Sequence, residues 1–558
     1  MNRILIIGLD AADLDLIEPW VAAGHLPHIG RIFQSGVYAP MRTTLPVMSP
    51  PAWTSMISGV NPGKHGVYDF VRLLPGSYRL TSVRRDQTNF RTIFDYASDH
   101  NRSVIAMNIP VTYPPATVRG IMIAGLGAPT SGQFTHPHAL RDELLNWGYR
   151  LDTDIAFAPG REQEWLNDLT TVTHSQTQAM VRLMQREPWD LAMIVYRAID
   201  EVETFFWHHM DDTHPQHDPQ AATIFGSAIL DVHRMLDTEV GKLIDTVGPE
   251  TTIALASDHG GGPQHKEVFL NIWLEQQGWL RRKQPGRLNK LRKNMMRHLH
   301  LTRENLAPLL DWPLAWKIRN RIPMRIQHAL IPEASITLAD IVDWSQTRAY
   351  SMGNIGQIYV NLQGREPEGI IAPGHEYEQL LDEITAALFE LKDEGQPVVD
   401  AVYRNRDIYH GPYADYGPDL NVIMRGMAYT AQSWREMAGT DIFSVSGTHY
   451  TGTHRPIGML ALCGPIVAAR GRQPEVQIVD VAPTVLASMN LPIPEDIDGR
   501  CLYEMLGLGH DDQHAVLHAT TTPDHRQIER SELNPIVWAT PEEEEEVLAR
   551  LRDLGYLE

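Results

Sequence analysis

Short, unbroken apolar runs recur along the chain and alternate with longer segments of helical period. Ile4–Gly8, Ser103–Asn108, Gly120–Ala124, Leu191–Tyr196, Thr252–Ala256 and Ile457–Leu462 are apolar throughout or nearly so. That is the texture of strands buried on both faces of a parallel sheet. Between them, Thr92–Ala97, Gln163–Gln185, Glu376–Lys392 and Ile478–Met489 read as helices. Pro541–Leu554 reads as a last one, acidic at its start and basic in its middle, as the helix dipole favours. Further strand texture lies at Ile358–Asn361. The rhythm predicts an α/β fold, a mostly parallel central sheet flanked by helices, organised as one domain over residues 1–558. In such sheets ligands gather beyond the carboxyl ends of the strands.

Composition narrows the class. The formal net charge of -21 argues against general nucleic-acid binding. Two cysteines, Cys463 and Cys501, exclude a disulfide framework. The first apolar run is too short for a signal peptide, and no run is long enough to span a bilayer, so a cytoplasmic location is expected. Gly8-Leu-Asp-Ala-Ala-Asp13 lacks the glycine spacing of a dinucleotide site. Over residues 280–333 the texture changes: Arg281, Arg282, Lys283 and a series of further Arg and Lys residues are set between Trp and Leu at helical spacing. This reads as a basic helical insertion, either a solvated cap or a lid that attracts an anionic substrate or a lipid headgroup.

The chemistry concentrates at strand ends. Thr43–Met56 reads as a loop delivering Ser49 to a helix start, with Ser49 as N-cap, Pro50 at the first helical position and Gly59 closing the helix. A serine there faces free N–H groups and the positive end of the dipole, which favour an anion. Asp10, Asp200, Asp258 and His259 come at or shortly after the ends of apolar strands, and His454 just before one. Carboxylates and imidazoles gathered in one crevice are a ligand set for zinc or manganese, and a serine beside such ions is ionisable at neutral pH.

In these motifs the chain resembles the alkaline phosphatase superfamily, and within it the type I phosphodiesterase/nucleotide pyrophosphatase-like branch of phosphohydrolases. The residues that carry the resemblance are Gly8-Leu-Asp10, Ser49-Pro-Pro-Ala-Trp53, Gly59–Gly66, Asn108–Pro115, Asp200 with Phe205-Phe-Trp207, Ser257-Asp-His-Gly260, Gly452-Thr-His-Arg455 and Val481-Ala-Pro-Thr484. It extends from the first strand to Leu554-Gly-Tyr556. It implies an alkaline-phosphatase-like fold and two divalent metal ions, Zn²⁺ or Mn²⁺/Mg²⁺. Asp10, Ser49, Asp258 and His259 would hold the ion that activates the nucleophile, and Asp200 and His454 the one that screens the leaving side and later generates hydroxide. The implied activity is metal-dependent hydrolysis of a phosphate ester, most readily a diester, through a phosphoseryl intermediate on Ser49. The substrate class is a small-molecule or lipid-headgroup phosphate ester, with Asn108 and Lys64 as candidate contacts. The near alternative is a phosphotransferase or mutase; the alternative of another class is a binding protein with an incomplete metal site.

Two positions depart from the pattern. Where relatives place a histidine one helical turn after the Asp200-type aspartate, this chain has Thr204. Glu203 is then the expected source of an oxygen ligand, favouring Mn²⁺ or Mg²⁺, with His208 and His209 further along the same helix. Phe70 stands where nucleotide pyrophosphatases carry an asparagine that contacts the phosphoryl oxygen. The Cys/Ser-x-Pro-x-Arg setting of sulfatases is not met by Ser49-Pro-Pro-Ala-Trp53.

Overall fold

The structure, a computed structural model, describes residues 2–74, 76–88, 90–283, 338–432, 440–445, 449–507, 540–554 and 556. The predicted basic insertion falls outside the described residues from position 284 onward.

Among the described residues the central sheet has ten strands, and its middle is parallel. Arg3–Leu9 lies between Leu191–Tyr196 and Thr251–Ala256, parallel to both. Val104–Ile109 and Gly120–Ala124 continue the parallel run on the Leu191 side. On the other side Ile457–Cys463 adds antiparallel to Thr251–Ala256, and Val37–Arg42 antiparallel to Ile457–Cys463. Five of the six apolar runs singled out above thus pair directly with one another as parallel strands, and the sixth joins them antiparallel.

Side-chain alternation divides the core into two layers. Leu5, Ile7 and Leu9 face one side, against helices Leu14–Ala22, Glu162–Arg186, Ala198–Met210 and Ala228–Val247. Ile4 and Ile6 face the other, against helices Ser49–Ser58, Ile93–Asp99 and Val481–Ser488. Both faces are dry, which is why these strands carry no polar alternation. The strand texture at Ile358–Asn361 belongs to a second sheet. There Gln357–Val360 pairs antiparallel with Ala349–Ser351 and Leu420–Met424, and Val399–Arg404 completes four strands around their own apolar cluster with helix His375–Phe389. Among the described residues no helix is long and apolar enough to cross a membrane.

The closing helix Pro541–Asp553 is docked on the main body. Val547 and Leu551 are buried in the first core layer. Thr81 Oγ1 donates to Glu544 at 2.8 Å, and Asp152 accepts from Arg197 at 2.7 Å and from Arg550 Nε at 2.5 Å. Burial would push the Asp152 carboxyl up, yet the two guanidiniums hold it at about 2. Tyr556 N–H donates back to the Leu551 carbonyl at 2.9 Å, turning the chain toward the strand ends.

Candidate metal centre

Asp10 follows the first strand directly, and its N–H donates to the Tyr196 carbonyl at 2.9 Å, so the sheet itself fixes its position. Its carboxylate accepts from Trp53 Nε1 at 3.1 Å and from Ser49 Oγ at 3.4 Å. Trp53 is one helical turn from Ser49, so one helix face presents both partners to Asp10. This approach requires Gly8, since a Cβ there would lie 2.5 Å from the Trp53 ring.

The helix bearing Ser49 starts one residue earlier than the sequence predicts. Met48 is the N-cap, without a side-chain cap bond, and Ser49 is the first helical residue. Prolines are tolerated throughout a first turn, so Pro50 and Pro51 occupy the next two positions equally well. The consequence is chemical, because Oγ is free of capping and faces Asp10 and His259, the latter at 3.2 Å from Nε2. The prolines carry no N–H and Ala52 N–H is bonded to the Met48 carbonyl. The anion-binding capacity expected of this terminus therefore reduces to the N–H of Ser49 itself.

His259 and His454 are oriented alike. Each ring places Nδ1 against a backbone carbonyl, Gly260 at 3.1 Å and Val47 at 2.8 Å. A carbonyl only accepts, so Nδ1 carries the hydrogen and each Nε2 lone pair points into the crevice. The rings stack at 3.9 Å. His454 Nε2 lies 3.3 Å from Asp200 Oδ1, and His259 Nε2 lies 3.3 Å from Asp258 Oδ2 and 3.5 Å from Asp10 Oδ1. Two groups result, Asp10–Asp258–His259 and Asp200–His259–His454, each with ligand atoms within 4.8 Å of one another. His259 belongs to both, whereas the sequence assigned it to one.

These residues fit divalent cations. Asp258 Oδ2 is buried without a hydrogen-bond partner. Burial, joined by the charges of Asp258 and Asp200, pushes the Asp10 carboxyl well above the usual carboxylate range, and burial drives Asp258 up to about 8. Imidazole lone pairs facing carboxylate oxygens at hydrogen-bond range repel unless a proton or a cation stands between them. At His454 burial disfavours the charged ring, but Asp200, with the Val47 carbonyl and Asp10, holds its pKa above the usual imidazole range.

The remaining expectations divide. Glu203 does not reach the centre. Its carboxylate faces the Gly260–Pro263 ribbon, so close that a Cβ on Gly261 would meet Oε2, and Oε1 lies 3.9 Å from His233 Nε2. His208 Nδ1 is 3.0 Å from Thr451 Oγ1. Neither His208 nor His209 joins either ligand group. Lys64 is turned to Asp498 and to the Asp496 carbonyl at 2.6 Å, which ties its turn to another loop. Asn108 is buried at a strand end with φ +63°; its Oδ1 accepts from Tyr149 at 2.5 Å while Nδ2 has no partner. Thr204 lines a small hollow with Asp200, Phe205 and Tyr556. The resemblance puts a histidine at this position one turn from Asp200, so Thr204→His is expected to raise Zn²⁺ affinity there about tenfold or more, measured by titrating the stripped protein. Equal affinity in the two proteins would exclude position 204 as a ligand position.

The sequence reading assigned no role to Tyr556. Its hydroxyl donates to Asp200 Oδ2 at 2.8 Å, and its ring packs 4.6 Å from Phe70. No local periodicity marks it, since its place depends on the docking of the preceding helix. Tyr68 and Arg72, on either side of Phe70 in sequence, line a cleft with Tyr350, Tyr359, Tyr413 and Tyr416.

A parallel α/β sheet with a buried serine between two acidic–imidazole groups defines a hydrolase of the alkaline phosphatase superfamily. The family model for type I phosphodiesterase/nucleotide pyrophosphatase matches residues 4–311, more than half of the chain. The chain belongs to that family and is a phosphoric ester hydrolase. No curated protein matches the sequence. Among solved structures, murine ectonucleotide pyrophosphatase/phosphodiesterase 5, as an inactive variant in complex with AMP, aligns with TM-score 0.50 at 10% identity over 91% of this chain and 100% of that one. The human counterpart aligns with TM-score 0.49 at 10% identity over 91% and 100%. At these identities the likeness is one of fold.

Proposed function

We propose that the protein is a metal-dependent phosphodiesterase that cleaves a small-molecule phosphodiester by double displacement on Ser49. The observation that carries the reading is the position of Ser49 Oγ, 3.2 Å from His259 Nε2 and 3.4 Å from Asp10 Oδ1 at the junction of the two ligand groups. Asp10, Asp258 and His259 would hold one cation, and Asp200 and His454, with His259 adjoining, the other. The cations supply Lewis acidity, favouring the ionised serine and neutralising charge on the phosphoryl oxygens.

The chain's own residues do the rest. Ser49 Oγ forms a bond to phosphorus as the ester P–O bond breaks, and the serine proton leaves with the alcohol. Water then displaces Ser49 from phosphorus and restores its hydroxyl. The Ser49 N–H donates to the phosphoryl group as charge builds. A substituent long enough to reach the cleft lined by Tyr68, Arg72 and Tyr413 would meet aromatic faces and a guanidinium there, as an ester larger than a simple monoester would require. A solved neighbour of the same fold holds AMP, which agrees with a nucleotide-sized ester.

The test is hydrolysis of p-nitrophenyl phosphate and bis-p-nitrophenyl phosphate by protein loaded with Zn²⁺, Mn²⁺ or Mg²⁺. Preference for the diester is the expected result, and preference for the monoester would overturn the diesterase assignment. Accumulation of p-nitrophenyl phosphate from the diester would show that one ester bond is cut per binding event.

A further inference from the structure

We propose that Tyr556 is a phosphoryl-contacting residue of this site, its phenol supplying from a distant part of the chain a donor beside Asp200 and the Ser49 crevice. The inference rests on the Ser49 phosphodiesterase reading. Donors to a phosphoryl group are scarce around Ser49. Pro50 and Pro51 remove two N–H groups from the helix terminus, and Ala52 N–H is already bonded. Phe70 presents only a ring. Onto that ring, at 4.6 Å and 57°, packs Tyr556.

The Tyr556 hydroxyl stands beside the side chains that bracket the reaction. It donates to Asp200 Oδ2 at 2.8 Å, Asp200 shares a ligand group with His259, whose Nε2 is 3.2 Å from Ser49 Oγ, and the Tyr556 ring centre is 6.4 Å from that of His454. A hydroxyl beside Asp200 and the Ser49 crevice is within reach of an oxygen on phosphorus bonded to Ser49. Rotation about the phenol C–O bond redirects its hydrogen without moving the ring. The ring is held from behind, because the Tyr556 N–H bonds to Leu551, and Leu551 is fully buried in the core beside the Arg550–Asp152–Arg197 cluster. The donor is thus fixed before substrate arrives, the condition under which a hydrogen bond to developing charge contributes most.

Two other roles fit the same place: a plug that blocks the crevice, and a prop that only orients Asp200. Tyr556→Phe separates them, since it keeps the packing on Phe70 and removes one hydroxyl. Full-length wild type and variant are compared, metal-loaded, for kcat and KM on bis-p-nitrophenyl phosphate, for affinity toward orthovanadate, and for metal content by elemental analysis. We expect kcat/KM to fall about 10²-fold, chiefly through kcat, and orthovanadate to bind weaker by a similar factor, with metal content unchanged. Unchanged kcat/KM would overturn the proposal, and a rise would mark a plug. Metal loss in proportion to activity would mark a prop for Asp200. Should the wild type hydrolyse no aryl phosphate, the phosphodiesterase reading fails, and orthovanadate alone decides this one. Weakening of about tenfold or more in Tyr556→Phe retains the phosphoryl contact, and equal affinity removes it.

Discussion

Ser49→Ala is expected to lower turnover of the best diester by at least about 10³-fold while leaving the fold and the metal content close to wild type. The size of the effect follows from what the hydroxyl does and does not do. It is not the helix cap, so its loss leaves the helix start as it is, and its hydrogen bonds to His259 and Asp10 are long, at 3.2 and 3.4 Å. The stability cost is then about 1 kcal/mol or less, read as a small shift in urea midpoint. The metal groups keep their carboxylates and imidazoles. Near-normal turnover in the alanine protein would exclude the covalent route, whatever its metal content.

The second large effect concerns the cations and pH. His259 is shared by the two ligand groups and Asp258 serves one, so His259→Ala is expected to empty both positions and Asp258→Asn one. Affinity at each affected position should fall more than about 100-fold, as losing a direct ligand exceeds the loss of an outer partner. Elemental analysis after equilibration at fixed free metal checks the stoichiometry, and equal metal loss in the two variants would mean that His259 is not shared. Metal removal also has a pH signature. With no cation, burial holds Asp258 up at about 8 and Asp10 well above the usual range, so the folded state keeps protons that the unfolded chain releases near about pH 4. Stability from these groups is fully present below that pH and is lost as pH rises toward about 8. The gain in Tm on adding metal should therefore be larger at about pH 8 than at about pH 5.5, with protons released on binding. A gain independent of pH would mean that these carboxylates are not the ligands.

The α/β architecture was legible because both sheet faces are dry. Runs such as Leu191–Tyr196 then contain nothing charged, and Asp10 and Asp258 stand out as the first carboxylates after such runs. Where the sequence misled, two placements satisfied local rules equally. A serine followed by two prolines starts a helix either as cap or as first residue, and only the pull of Asp10 and His259 on Oγ distinguishes them. Glu203 and Thr204 lie about 100° apart around one helix, both near the face of Asp200, and periodicity cannot choose between them. The packing of Glu203 against Gly261 decides it. Tyr556 was legible only as a place where a resemblance ends, because its role depends on contacts with residues hundreds of positions earlier.

The position of the first strand has a consequence for how the molecule comes into being. Arg3–Leu9 sits in the middle of the sheet, and the chain delivers its two neighbours only with residues 191–196 and 251–256. His454 follows about two hundred residues further on. During synthesis an apolar strand with two open edges must wait, unpaired, for much of the translation time. Pairings so distant in sequence form slowly, and the exposed edges invite association with other chains. Overexpression is therefore expected to favour inclusion bodies, with soluble yield rising when translation is slowed or a holding chaperone is supplied in excess.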